Sequence, residues 1–123
     1  MTELAALTLE SFSSRVRQDG DALMVDLIGN ADLRAKKELG TMLTALHREA
    51  LDKGIREVVI DVRALEFMNS SCFKAFVTWL TDIMELPAAQ QYHVRFRSNP
   101  DTLWQRRSLH ALRSYALMIV NIE

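Results

Sequence analysis

The stretch that most constrains this chain runs from Val58 to Leu80. It opens with Val58, Val59, Ile60 and Val62, a β-branched run of the kind that suits a strand buried on both faces. It closes with Phe73, Phe76, Val77 and Leu80, apolar residues at the three-and-four spacing of a helix face. Between them lie Asn69, Ser70 and Ser71, short polar side chains that compete for backbone hydrogen bonds and are favoured where a helix begins. The pattern predicts strand, turn and helix, with hydroxyls presented at the positive end of the helix dipole. A negative charge is tolerated there at little cost.

The remaining segments give a sheet in which this unit can sit. Residues 1–8 are an unassigned lead-in. Over Glu10 to Arg17, Phe12, Ser14 and Val16 share one parity, which predicts an edge strand exposed on one side. Gln18-Asp19-Gly20-Asp21 is a turn, and Leu23, Val25 and Leu27 mark a more buried second strand. Gly29-Asn30-Ala31-Asp32 breaks that strand, with Asp32 placed to cap a helix carrying the stripe Leu39, Met42, Leu43, Leu46 and Ala50 to about residue 53. Gly54 ends it. The central helix, from about Ser71 to Met84, stops before Pro87. Tyr92, Val94 and Phe96 alternate as a half-buried strand, Ser98-Asn99-Pro100-Asp101 opens a further helix to about Tyr115, and Leu117 to Ile122 is a last strand. The order is β-β-α-β-α-β-α-β. It implies one α/β domain spanning 1–123, a single mixed, mostly parallel sheet of about five strands flanked by helices.

Composition excludes several classes of function. A formal net charge of −1 gives no electrostatic reason to expect nucleic acid or an acidic membrane as partner. No apolar run is long enough to span a bilayer, no signal pattern opens the chain, and the single cysteine fits a cytoplasmic location. His47, His93 and His110 lie on separate predicted elements without metal-ligand spacing, and the scattered glycines form no phosphate-cradling loop. No cofactor is expected. Arg95, Arg97, Arg106, Arg107 and Arg113 make the last third locally basic, with Trp104 and Tyr115 nearby; a solvated helix face accounts for them more simply than a nucleic-acid surface. Trp79 and Phe76 widen the apolar face of the central helix, so that helix is either well covered or meets a partner.

The run Val-Val-Ile-Asp-Val-Arg-Ala-Leu-Glu-Phe-Met-Asn-Ser-Ser-Cys-Phe at 58–73 resembles the signature of STAS domains, the bacterial anti-sigma factor antagonists. In that family an aliphatic strand ends in Asp, and a short link leads to an Asp-Ser-Ser-Gly-Leu motif opening a helix. Gly29-Asn30-Ala31-Asp32 resembles the family's Gly-Glu-Leu-Asp, and the element order agrees over about residues 10–122. The resemblance implies a non-enzymatic protein switch in a partner-switching cascade that regulates transcription. An anti-sigma factor that is also a GHKL-type serine kinase phosphorylates the first serine of the motif, a PP2C-type phosphatase reverses it, and the unphosphorylated form binds the partner. By position the phosphoacceptor is Ser70, with Asp32, Asn69, Ser71 and Cys72 shaping the partner-binding patch; Asp32 is expected to make that patch more acidic.

Two residues depart from the motif: Asn69 stands in place of Asp, and Cys72 in place of Gly. The helix that usually follows the family's last strand is also missing. A scaffold or sensor subunit that is never phosphorylated is the first alternative. A small cysteine-dependent enzyme using Cys72 is the second, although no local motif ties a histidine to that thiol. The sequence leaves open whether the chain works alone or as a homodimer.

Overall fold

The computed structural model describes residues 2–123. Six strands form one sheet in chain order: β1 (Thr2–Thr8), β2 (Phe12–Asp19), β3 (Ala22–Ala31), β4 (Glu57–Met68), β5 (His93–Arg97) and β6 (Val120–Ile122). The helices are α1 (Lys36–Asp52), α2 (Ser70–Met84) and α3 (Leu103–Tyr115). β1 to β3 are antiparallel neighbours, whereas β3 to β6 pair in parallel through α1, α2 and α3. Parallel crossovers are right-handed, so three successive crossovers stepping the same way put all three helices on one face of the sheet.

Side-chain parity bears this out. Leu23, Val25 and Leu27 of β3, Val58, Ile60 and Val62 of β4, and Val94 and Phe96 of β5 join one buried core with Leu39, Leu43, Phe76, Leu80 and Leu109 of the helices. The alternate positions face away from the helices and are chiefly charged. Arg17 pairs with Asp26 at 2.7 Å, Arg63 with Asp61 at 2.7 Å, and Arg95 with Glu57 at 3.1 Å and Glu123 at 3.2 Å. Val59, 1% exposed, is roofed by this lattice of side chains. Arginine stems commonly cover apolar surface in this way.

Several expectations change. The sheet has six strands because residues 2–8 pair with β2, which makes β1 the edge and β2 an interior strand. The register shift between Glu3 and Ala5 inserts an extra residue. Leu4 and Leu7, three apart, then both pack toward the core, and the period-two signal is erased. β3 is not broken at Gly29 but continues to Ala31, pairing along its length with the longer β4. Asp32 caps a short 3-10 turn, Leu33–Ala35, rather than α1 itself.

β4 outruns β5. Pairing between them ends at Asp61 and Arg97, so carbonyls further along β4 have no strand on that side. Gln105 of α3, fully buried, fills the gap: its Nε2 donates to Val62 O at 2.6 Å and Leu65 O at 3.0 Å, and its Oε1 accepts from Asn99 N at 2.8 Å. Buried backbone groups need partners, and here one side chain supplies three. It extends β4 far enough to deliver the following turn at the end of the sheet.

Candidate functional site

Asn69 ends β4 and begins α2. Its backbone is extended (φ −78°, ψ 170°), and its side-chain oxygen accepts from Cys72 N at 2.9 Å, which caps the helix. Capping therefore falls to Asn69, and neither serine is needed for it. Ser70 is exposed and Ser71 half-buried on the first turn of α2. The Asn69 N–H donates to Ala31 O at 2.9 Å, so this turn is fastened to the end of β3 through the main chain.

Asp32 follows directly on Ala31. Its carboxylate accepts from Arg34 N at 2.9 Å, from Arg34 Nη2 at 3.0 Å and from Ser11 Oγ at 3.3 Å. The Arg34 guanidinium beside it holds the Asp32 carboxyl below the usual carboxylate range, and Asp32 in turn raises the Arg34 pKa. Arg34 also reaches Glu10 at 3.4 Å. The expected acidity of the patch is thereby offset: Asp32 sits beside the Ser70 turn, but a guanidinium two residues on neutralises it.

Cys72 lies beneath this surface. It is fully buried, and its thiol points at Asp32 O, 3.6 Å away. Burial raises the thiol pKa, and the Asp32 charge adds to the effect, so the thiolate form is disfavoured. Cys72 supports the patch from within and has no surface to offer a partner. Of the histidines, His47 is tied to Tyr92 Oη at 2.6 Å, and Tyr92 also accepts from Trp79 Nε1 at 3.0 Å. Phe76 and Trp79 are both buried, so α2 is well covered on that side. Among the described residues no group of His, Cys, Asp and Glu is arranged to hold a metal ion. No helix there is long and apolar enough to cross a membrane. The basic residues are dispersed: Arg95 and Arg97 lie on β5 among carboxylates of the open sheet face, while Arg106, Arg107 and Arg113 belong to α3.

Two apolar residues at the site were not foreseen. Leu33, 69% exposed, occupies the 3-10 turn beside the amino end of α2, and Phe67, 46% exposed, comes just before the Asn69 turn. Exposed large side chains around a polar centre are the composition of a protein contact. In the sequence both look like ordinary core residues; Leu33 is exposed on the 3-10 turn, and Phe67 on the end of β4 that outruns β5.

The Gly29 backbone sets the approach of the β1–β2 connection to this site. Gly29 has φ +95°, and a Cβ placed on it would lie 2.3 Å from Ser11 O. That same oxygen accepts from Asn30 N at 2.7 Å. Only glycine permits this contact, which brings Ser11 within reach of Asp32.

No family model matches the chain, and no curated protein matches it in sequence. Solved structures do. A crystal structure of an anti-sigma factor antagonist from Mycobacterium paratuberculosis superposes with a TM-score of 0.64 at 17% identity, covering 88% of this chain and 86% of that one. The solution structure of the protein TM1081 gives 0.62 at 18% identity over 88% of this chain and 78% of that one. The unphosphorylated form of the anti-sigma factor antagonist SpoIIAA gives 0.61 at 12% identity over 89% and 87%. The chain has the anti-sigma factor antagonist fold.

Proposed function

We propose that this chain is a non-enzymatic signalling switch of the anti-sigma factor antagonist type, acting in the cytoplasm and governed by phosphorylation of Ser70. The observation that carries the reading is the placement of Ser70: exposed, on the first turn of α2, and relieved of capping by Asn69. A phosphate there adds about −1.5 to −2 charges at the positive end of a helix, where the fold accommodates it. The partner reads the change. Leu33 and Phe67 supply its apolar footing, and Asp32 with Arg34 supplies a fixed charge pattern beside it. Placing a dianion among these groups weakens docking through repulsion and bulk, with little backbone motion.

The partner in this reading is an anti-sigma factor that is also a GHKL-type serine kinase, opposed by a PP2C-type phosphatase. Asn69 keeps the cap that Asp supplies in the motif but removes its charge, so Asn69→Asp should leave the fold intact and speed phosphorylation. The decisive test is in vitro phosphorylation by candidate kinases, with the modified residue located by mass spectrometry. Label on Ser70 that disappears in Ser70→Ala, together with weakened kinase binding by Ser70→Asp, supports the proposal. Modification confined to other residues while the kinase is active overturns it.

A further inference from the structure

Ser70 and Lys74 are both exposed on α2 and stand four residues apart. That spacing puts them on one face of the helix, one turn apart, with about 5–6 Å between their Cβ atoms. Helix side chains lean toward the amino end, so the Lys74 stem is directed back over the turn that carries Ser70. An anion four residues ahead of a lysine is also the favourable order for such a pair, because the helix dipole acts in the same sense. The other cations near this turn are engaged or misplaced. Arg34 is held by Asp32 at 3.0 Å and Glu10 at 3.4 Å. Lys36 opens α1 and lines the groove between α1 and α2 beside Ala75. Ala75 follows Ser70 by five residues, which carries it well round the helix from the serine. Lys74 takes part in no ion pair among the described residues.

We infer, on the reading of Ser70 as the phosphoacceptor, that Lys74 is the counterion of the phosphorylated serine: modification closes an ion pair within α2 and takes a free cation off its surface. A lysine suits this role, since its ammonium is a point charge on a flexible stem and can follow the phosphate oxygens. Before modification this face of α2 offers a hydroxyl and a bare ammonium. A phosphate of about −1.5 to −2 charges held against that ammonium leaves about −0.5 to −1 over the pair. The switch therefore alters the face by two groups at once, adding an anion and removing the cation beside it.

The test installs phosphoserine at position 70 of the full chain by nonsense suppression and needs no kinase. Failure of the pairing would leave modification by a kinase untouched, and failure to find a kinase would leave the pairing measurable, so the two are separable. Phosphorus NMR at low ionic strength follows the second ionisation of the phosphate, ordinarily near pH 6, with circular dichroism confirming that each protein is folded. A nearby cation favours the dianion and lowers the pH of that step. Lys74→Gln should therefore raise it by about 0.3 unit relative to the phosphorylated parent. Lys74→Arg should titrate close to the parent, and Arg34→Gln should shift the step less than Lys74→Gln does. A lysine with only a structural role would leave the phosphate titration where it is. Coincident titrations of the parent and Lys74→Gln, a Lys74→Arg protein that titrates like Lys74→Gln, or a larger shift from Arg34→Gln overturns the assignment.

Discussion

Replacing Gly29 by alanine tests how the site is assembled, because two separable costs meet at one residue. At φ +95° a Cβ strains the backbone, which costs about 1–3 kcal/mol for a non-glycine residue. The new methyl must also retreat from Ser11 O, 2.3 Å away. That oxygen is backbone, so the β1–β2 connection has to shift, and the shift stretches the 2.7 Å bond from Asn30 N. Losing that bond adds about 1 kcal/mol. Gly29→Ala should therefore destabilise by roughly 3 kcal/mol. Gly20→Ala is the matched control: φ is +62° and nothing lies within 4 Å of its Cβ. It should cost about 1 kcal/mol of backbone strain alone. Both variants lose the same unfolded-state entropy of glycine, so that contribution cancels between them. Urea denaturation of the two should differ by about 2 kcal/mol, equivalent to roughly 6–10 °C in melting temperature for a domain of this size. Equal losses for the two variants would refute the contact with Ser11 as a determinant of this fold.

Gln105→Leu keeps roughly the volume and apolar contacts but orphans Val62 O, Leu65 O and Asn99 N, so a loss of about 3 kcal/mol in the same denaturation assay is expected. A loss below about 1 kcal/mol would show that β4 does not depend on this amide. Cys72 should resist a thiol-specific reagent such as DTNB in the native protein and react at once in denaturant; fast native labelling would contradict its burial under the Asp32 turn. Burial by itself raises the Asp61 pKa, but the Arg63 hydrogen bonds and charge, with Arg97 beyond, bring it below the ordinary value. A depressed folded pKa gives stability that is present above the unfolded value of about 3.9 and lost as pH falls through the folded one. Asp61→Asn should accordingly flatten the fall in stability on acidification from about pH 5, and an unchanged slope would contradict the Asp61–Arg63 pairing.

The parallel part of the fold was legible because its signals are local and strong. Val58 to Val62, the α1 stripe from Leu39 to Ala50 and the polar stop at Asn69 each announce an element, and each lies where expected within a few residues. β1 was not legible, since its bulge places Leu4 and Leu7 three apart on one face, a spacing that breaks a strand's period of two. The reach of β4 beyond Val62 was hidden for a different reason: it depends on Gln105, more than forty positions away, and a lone glutamine in a helix pattern reads as solvated. At the site, the Ser70 turn and the nearness of Asp32 were foreseen. The counterion Arg34 and the exposure of Leu33 were not, because both follow from the 3-10 turn that displaces the start of α1; nor was the exposure of Phe67, which lies on the part of β4 that outruns β5.

The junction of Asn69 with Ala31 is made between peptide groups, and peptide groups are the same whatever residues carry them. Such a seam lets evolution rewrite the letters around it without relocating the bend. That offers a reason why Asn69 and Cys72 can stand where the motif this turn resembles has an acid and a glycine, while the outline still overlays proteins that share fewer than one residue in five with this chain. Novelty in what is recognised can then be acquired one side chain at a time.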